Sequence, residues 1–127
     1  MDHRKQLGSK GEQCIADFMN QQGATLEACN WRGISGELDL IFLYDTTLIF
    51  IEVRSVQSTW LDRSSLAVSP KKQRQVARCA DEYIRKRCSK LPAYQGIRFD
   101  VAGVLWNHSK EPHIDYIADA FESPWAF

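Results

Sequence analysis

From Gly36 to Arg54 the chain reads GELDLIFLYDTTLIFIEVR, and this stretch decides the fold. Two runs rich in leucine, isoleucine, valine and aromatic residues flank Asp45-Thr46, the pattern of two strands joined by a tight turn. Folded about Asp45-Thr46, the register sets Tyr44 against Thr47, Asp39 against Glu52 and Glu37 against Arg54. Side chains alternate along a strand, so the four charges share one face, which continues as Ile41, Leu43, Leu48 and Phe50. The other face carries Leu38, Leu40, Phe42, Tyr44, Thr47, Ile49, Ile51 and Val53. Near the turn both faces are apolar, as in a central strand pair covered on both sides. The charges sit where that cover ends. Two carboxylates directly across a ladder lie about 5 Å apart at Cα and repel, and a carboxylate taken out of water is costly without a partner. Such a pair calls for a cation or a proton, which makes the hairpin a candidate metal site. The plainer alternative is a solvated charged face, but that face would be polar along its whole length. A bulge or an odd-length loop would break the face-sharing.

Around the hairpin the pattern alternates between helix and strand. A helix is expected over Arg4–Gln22, with Ile15, Phe18, Met19 and Gln22 at helical spacing and Gly23 ending it. Glu12 lies on the edge of that stripe, where it is either a surface residue just over the boundary or a contributor to the acidic cluster. A strand follows over Thr25–Trp31, then a glycine-containing turn, Arg32–Gly36. Ser55–Val68 reads as an irregular loop holding Trp60, Asp62 and Arg63. Ser69-Pro70 is a helix start, serine as N-cap and proline in the first turn. The helix runs to about Cys88 behind a stripe of Val76, Cys79, Ala80, Tyr83 and Ile84. Strands are expected at Ile97–Leu105 and His113–Ile117, with Trp106–Lys110 between them. The order of helix, three strands, helix and two strands gives an α/β sandwich, a mixed sheet flanked by helices.

With 127 residues the chain is long enough for one compact domain, 1–127, and too short for two. Sixteen basic residues balance sixteen acidic ones, so no global field draws in nucleic acid, and any such binding must be local. The second helix supplies that locality: Lys71, Arg74, Arg78 and Arg85 lie along one flank, with Lys72 nearby. A phosphate backbone is a plausible counterpart, and a solvated helix flank is the bland one. Among the four cysteines none forms a C-x-x-C pair or a zinc pattern with histidine. Cys14 and Cys79 fall within the helices as reduced core thiols. No apolar run is long enough for a transmembrane helix, and the polar start lacks the apolar centre of a secretion signal, so a cytoplasmic location is expected.

The string Asp39…Glu52-Val53-Arg54 resembles the D…(D/E)-x-K signature of the PD-(D/E)xK nuclease superfamily. The wider set Gly8-x-x-Gly11-Glu12, Asn30-Trp31-Arg32, Gly36-Glu37-Leu38-Asp39-Leu40-Ile41, Phe50-Ile51-Glu52-Val53, Lys72-Gln73 and Arg98-Phe99-Asp100-Val101 resembles one branch, the uncharacterised bacterial YraN-like family, in order and over nearly the whole chain. The resemblance implies a restriction-endonuclease-like αβββαβ core. It further implies that Asp39 and Glu52, helped by the Val53 carbonyl, bind Mg²⁺ or Mn²⁺, which take oxygen ligands and keep several waters. The metal would activate water against a DNA phosphate. Glu12 would match the extra helical glutamate of the resolvase-like branch, and Gln73 would orient substrate or a metal-bound water. One position departs: the superfamily lysine is Arg54 here, and Val56 stands where the family places an arginine. Arginine keeps the charge that stabilises a phosphorane-like transition state but does not shuttle protons near neutrality. It is also disposed to lock onto a carboxylate, with Glu37 opposite.

Three functions follow. The first is a metal-dependent endonuclease acting on DNA, structured or branched DNA included, with Asp39, Glu52, Arg54, Glu12 and Gln73 as catalytic candidates. The second is a catalytically impaired DNA-binding module that uses Lys71, Lys72, Arg74 and Arg78. The third is a protein-interaction scaffold in which the aromatic C-terminus, Phe121 to Phe127, caps the core or meets a partner or a second copy of the chain.

Overall fold

The computed structural model describes residues 8–56, 66–87, 89–106 and 111–124. His3, the segment with Trp60, Asp62 and Arg63, Cys88, His108, Trp125 and Phe127 lie outside them.

The first helix, α1, is Lys10–Gln21; Arg4–Leu7 of the expected Arg4–Gln22 lie outside the described residues. Ser9 caps α1, its backbone extended and its hydroxyl accepting the Glu12 N–H at 3.1 Å, the usual N-cap geometry. The strands are β1 Thr25–Arg32, β2 Glu37–Tyr44 and β3 Thr47–Val56, followed by α2 Pro70–Arg87, β4 Gly96–Leu105 and β5 His113–Phe121. Ser69 caps α2 as expected, accepting the Lys72 N–H at 3.2 Å. Two strands outrun their sequence reading by two residues or more. β3 extends to Val56 because it keeps pairing with β4 as far as Leu105, and β5 runs to Phe121, which pairs with Phe99. Phe121 is thus the last residue of the strand, buried and stacked on Phe99 at 5.0 Å.

The strands form one five-stranded sheet in sequential order. β3 and β4 run parallel, and the other three neighbouring pairs are antiparallel. The mixed sheet and its two helices agree with the αβββαβ core expected from the sequence, with β5 added.

Burial divides into two layers. Ile15, Ala16 and Met19 of α1 pack on Cys29, Leu40, Phe42, Ile49, Ile51, Ala102 and Val104. Val76, Ala77, Cys79, Ala80 and Tyr83 of α2 pack on Ala28, Leu38, Ile41, Leu48, Phe50, Phe99 and Val101. Each helix therefore covers one face, which explains why β2 and β3 are apolar on both sides. Tyr83 stands edge-on to Trp31 at 5.3 Å and to Phe50 at 6.1 Å, contacts worth about 0.5–1.5 kcal/mol each beyond area burial.

Leu38 corrects the expected alternation. It belongs with Ile41, Leu48 and Phe50 under α2, although Leu40 lies under α1. Two residues apart on a regular strand would share a face, so the alternation of β2 breaks at Asp39. Across from it, Asn30 takes a left-handed backbone, φ 52°, a conformation asparagine tolerates better than most residues. The sheet is irregular where the acids gather.

Candidate functional site

The hairpin pairs in the predicted register from Tyr44↔Thr47 to Leu40↔Ile51. Continued by one step, it would set Asp39 across from Glu52. Instead of a further ladder rung, Asp39 uses its side chain: Oδ2 accepts the Val53 N–H at 2.9 Å. A carboxylate thus replaces a backbone carbonyl where the strands part.

Glu52 is held from the opposite layer. Lys72, in the first turn of α2, brings its ammonium to 3.6 Å from Glu52 Oε1. The sequence left open whether a lysine from α2 reaches the hairpin, and Lys72 does. Burial raises the pKa of Glu52, and the Asp39 charge adds to that, while Lys72 and Arg54 act against it. Burial likewise raises Asp39, which Val53 N–H, Lys72 and Arg54 partly offset. Both carboxylates are therefore disfavoured as bare anions, the condition in which a cation or a proton is welcome.

Glu12 resolves toward the cluster. It is 9 % exposed, and its pKa is raised by burial first and then by the charges of Asp39 and Glu37. A Cβ on Gly11 would come within 3.3 Å of Ser55, and one on Gly8 within 3.2 Å of the Asn30 amide. The two glycines let the start of α1 press onto the sheet and deliver Glu12. With its amide nitrogen turned toward the acids, Asn30 donates to Glu12 at 2.6 Å and to Glu37 at 3.2 Å and accepts the Gly8 N–H at 3.2 Å. Asn30 is the component that sequence reasoning missed. Its signal was its place in the Asn30-Trp31-Arg32 string.

One expected pairing differs. Glu37 is bound by Arg32, Nε to Oε2 at 3.0 Å, and not by Arg54, because Arg32 is its direct partner across the β1–β2 ladder. Gln73 donates its amide to the Val68 carbonyl at 2.8 Å, so the bond it makes there straps the segment entering α2. Lys71, Arg74 and Arg78 are exposed on α2, as a phosphate-contacting flank requires. Among the described residues no three His, Cys, Asp or Glu side chains form a group able to hold a metal ion together.

The β1–β2 turn is fastened to α2 beside this site. Glu82 accepts the Ile34 N–H at 2.9 Å and the Ser35 N–H at 3.4 Å, Gln75 donates to Ser35 O at 3.1 Å, and the Cys79 thiol donates to Gly36 O at 3.3 Å. Gly36 has φ 143°, a conformation that favours glycine, and a Cβ there would meet the Gln75 amide at 2.6 Å and push that side chain aside. On the far side of the sheet Asp100, 1 % exposed, grips Arg98 through two bonds of 2.8 Å and takes the Asp119 N–H at 2.9 Å and the Tyr116 hydroxyl. Both carboxylate oxygens of Asp100 are thereby engaged, and through Tyr116 and Asp119 they tie β4 to β5, the structural role of a motif residue to which the sequence gave none.

A family model, Uncharacterised protein family UPF0102, matches residues 11–104. The chain belongs to this family. UPF0102 proteins of Rhodococcus opacus, Nitrosomonas europaea and Geotalea daltonii are similar to it. They are 31 %, 36 % and 33 % identical over 95 %, 91 % and 93 % of this chain and 100 %, 92 % and 91 % of their own lengths. The UPF0102 match spans α1 to β4 and so includes Glu12, Asn30, Asp39, Glu52 and Lys72. Among the described residues no helix of this UPF0102 chain is long and apolar enough to cross a membrane.

Proposed function

We propose that this chain is a metal-dependent phosphodiesterase of the PD-(D/E)xK kind that cuts DNA. The observation that carries this reading is the pair Asp39 and Glu52. Both are displaced from water, both have raised pKa values, and they sit at the edge of the apolar cover with a lysine at 3.6 Å. Two carboxylates and the Val53 carbonyl form an all-oxygen donor set, which fits Mg²⁺ or Mn²⁺ completed by water and phosphate oxygens. The bound ion would supply Lewis-acid charge and an acidified water. Asp39 is aimed by its bond from Val53 N–H, and Glu52 by Lys72. The Lys72 ammonium stands at the acid pair, where it can bind a phosphate oxygen once Glu52 has a second partner. Arg54 contributes fixed positive charge toward both acids. Glu12, linked through Asn30 to Glu37, supports the cluster from α1. Exposed Lys71 and Arg74 give the DNA strand a basic rail.

One observation favours a second reading. Lys72 already partners Glu52, and an acid pair neutralised from within has less need of a metal, as in a fold kept for DNA binding alone. Incubation with single-stranded, flapped and four-way DNA in Mg²⁺ and Mn²⁺, beside calorimetric Mn²⁺ titration, separates the two. Cleavage lost in Glu52→Gln, with Mn²⁺ binding lost in Asp39→Asn, is the expected result. DNA binding with neither cleavage nor Mn²⁺ uptake would leave the binding module. Absence of DNA binding would remove both.

A further inference from the structure

Ile34 is 94 % exposed, the apolar tip of the turn between β1 and β2, yet the turn beneath it is among the most heavily fastened segments of the chain. Both amides at the tip are bound by Glu82, the carbonyls of Ser35 and Gly36 are bound by Gln75 and Cys79, and Gly33 N–H closes the turn on Gly36 O at 2.9 Å. Glycines stand at the two positions where α2 side chains come closest. A mobile loop that merely tolerates an isoleucine has no need of this bracing. A tip that must push against something does.

Position says what it pushes against. Lys72, Gln75, Cys79 and Glu82 follow one stripe of α2, with Lys72 at Glu52 and the other three on the turn. At 1.5 Å of rise per residue, the tip lies about 5–15 Å along the helix from the acid pair. Successive nucleotides of one strand are spaced about 3.4 Å apart, so a strand whose phosphate lies at Asp39 and Glu52 presents the base step some two to four nucleotides away to Ile34. Arg74, exposed on α2 between Lys72 and Gln75, adds positive charge, whereas Arg32, at the foot of the turn, is paired with Glu37.

We propose that Ile34 is a wedge that enters or caps an interrupted base stack, so that the preferred substrate is DNA with a broken stack, at a nick, flap or junction, rather than continuous duplex. This rests on the nucleic-acid reading above and adds the substrate class to it. Rigid apolar side chains are used in this way because partial unstacking costs least where the stack is already interrupted.

The test uses the full chain, without metal so that nothing is cut, and duplexes carrying 2-aminopurine beside a nick or a junction, with an intact duplex as control. Wild type should brighten 2-aminopurine at the nick and the junction and bind both about tenfold more tightly than the intact duplex. Ile34→Ser should lose the brightening and most of the tenfold preference while binding intact duplex as before, and Ile34→Met should keep both. At 94 % exposure the Ile34 side chain adds little packing, and its backbone N–H keeps the Glu82 bond when the side chain changes, so an unchanged thermal melt should accompany the serine variant. Equal brightening and equal preference in Ile34→Ser would overturn the wedge and leave the nucleic-acid reading standing. A serine variant that alters self-association in sedimentation but not DNA binding would also overturn it and mark the turn as a protein contact. Failure of wild type to bind any of the DNAs at low salt would sink the nucleic-acid reading itself.

Discussion

The Lys72–Glu52 contact lends itself to a double-mutant cycle with Lys72→Met and Glu52→Gln. Methionine keeps most of the lysine stem and removes the charge. At 3.6 Å, two unit charges attract by about 4–5 kcal/mol at an effective dielectric near 20. Lys72 is 37 % exposed, however, and Glu52 is 14 % exposed. Water screens the outer end, and fixing a long side chain costs entropy, so the pair falls between exposed pairs at about 0.2–1 kcal/mol and fully buried ones at about 3–5 kcal/mol. A coupling of about 1–2 kcal/mol near pH 7 is expected from urea unfolding of the four proteins. The pH dependence has a definite sign. Glu52 has a folded-state pKa above its ordinary 4.5, so the folded protein binds more protons than the unfolded chain between 4.5 and that raised value. The Glu52 contribution is therefore most favourable below 4.5 and declines as pH rises through the window. Lys72→Met removes an influence that lowers this pKa, so its penalty should be nearly absent at about pH 4 and full at neutral pH. A coupling under about 0.3 kcal/mol, within ordinary additivity, or one that ignores pH, would refute the assignment of Lys72 to Glu52.

Two further outcomes follow from the polar networks. Asp100→Ala should cost about 3–5 kcal/mol in urea unfolding, because it strands Arg98, the Tyr116 hydroxyl and the Asp119 amide together; a loss under about 1 kcal/mol would mean that water replaces the carboxylate freely. Glu82→Ala should speed hydrogen exchange at the Ile34 and Ser35 amides while leaving those of Phe42 and Ile49 protected, and unchanged exchange at Ile34 would show that the turn is held by its glycine geometry alone.

The hairpin was legible because period-2 alternation and a two-residue turn fix register without help from the rest of the chain. The five observed rungs of β2–β3 are the predicted ones. The second helix was legible at its start because Ser69-Pro70 is local chemistry. What failed was alternation beyond the last rung. Leu38 changes layers at the irregularity opposite Asn30, and no local pattern marks a carboxylate that accepts a strand amide. Glu37 goes to Arg32, its direct partner across β1–β2. Lys72 could not be assigned from spacing, since whether a helix lysine meets a strand glutamate depends on how α2 crosses the sheet. Asn30 and Asp100 were visible only as motif letters; their bonds join elements far apart in the chain.

The parallel neighbours β3 and β4 have a consequence for how the protein comes to exist. Domains emerge from the ribosome N-terminus first, so the β1–β2–β3 meander is complete well before its other neighbour is made. β3 pairs with β4 along its whole length, Thr47↔Gly96 to Val56↔Leu105. Until synthesis passes Leu105, that edge, with Ile49 and Ile51 on it, is an open template for foreign strands. During the same interval α2 has Ala28, Leu38, Ile41, Leu48 and Phe50 beneath it but still lacks Phe99 and Val101. The open edge and the unfinished floor under the basic helix are closed by one late event, the arrival of β4.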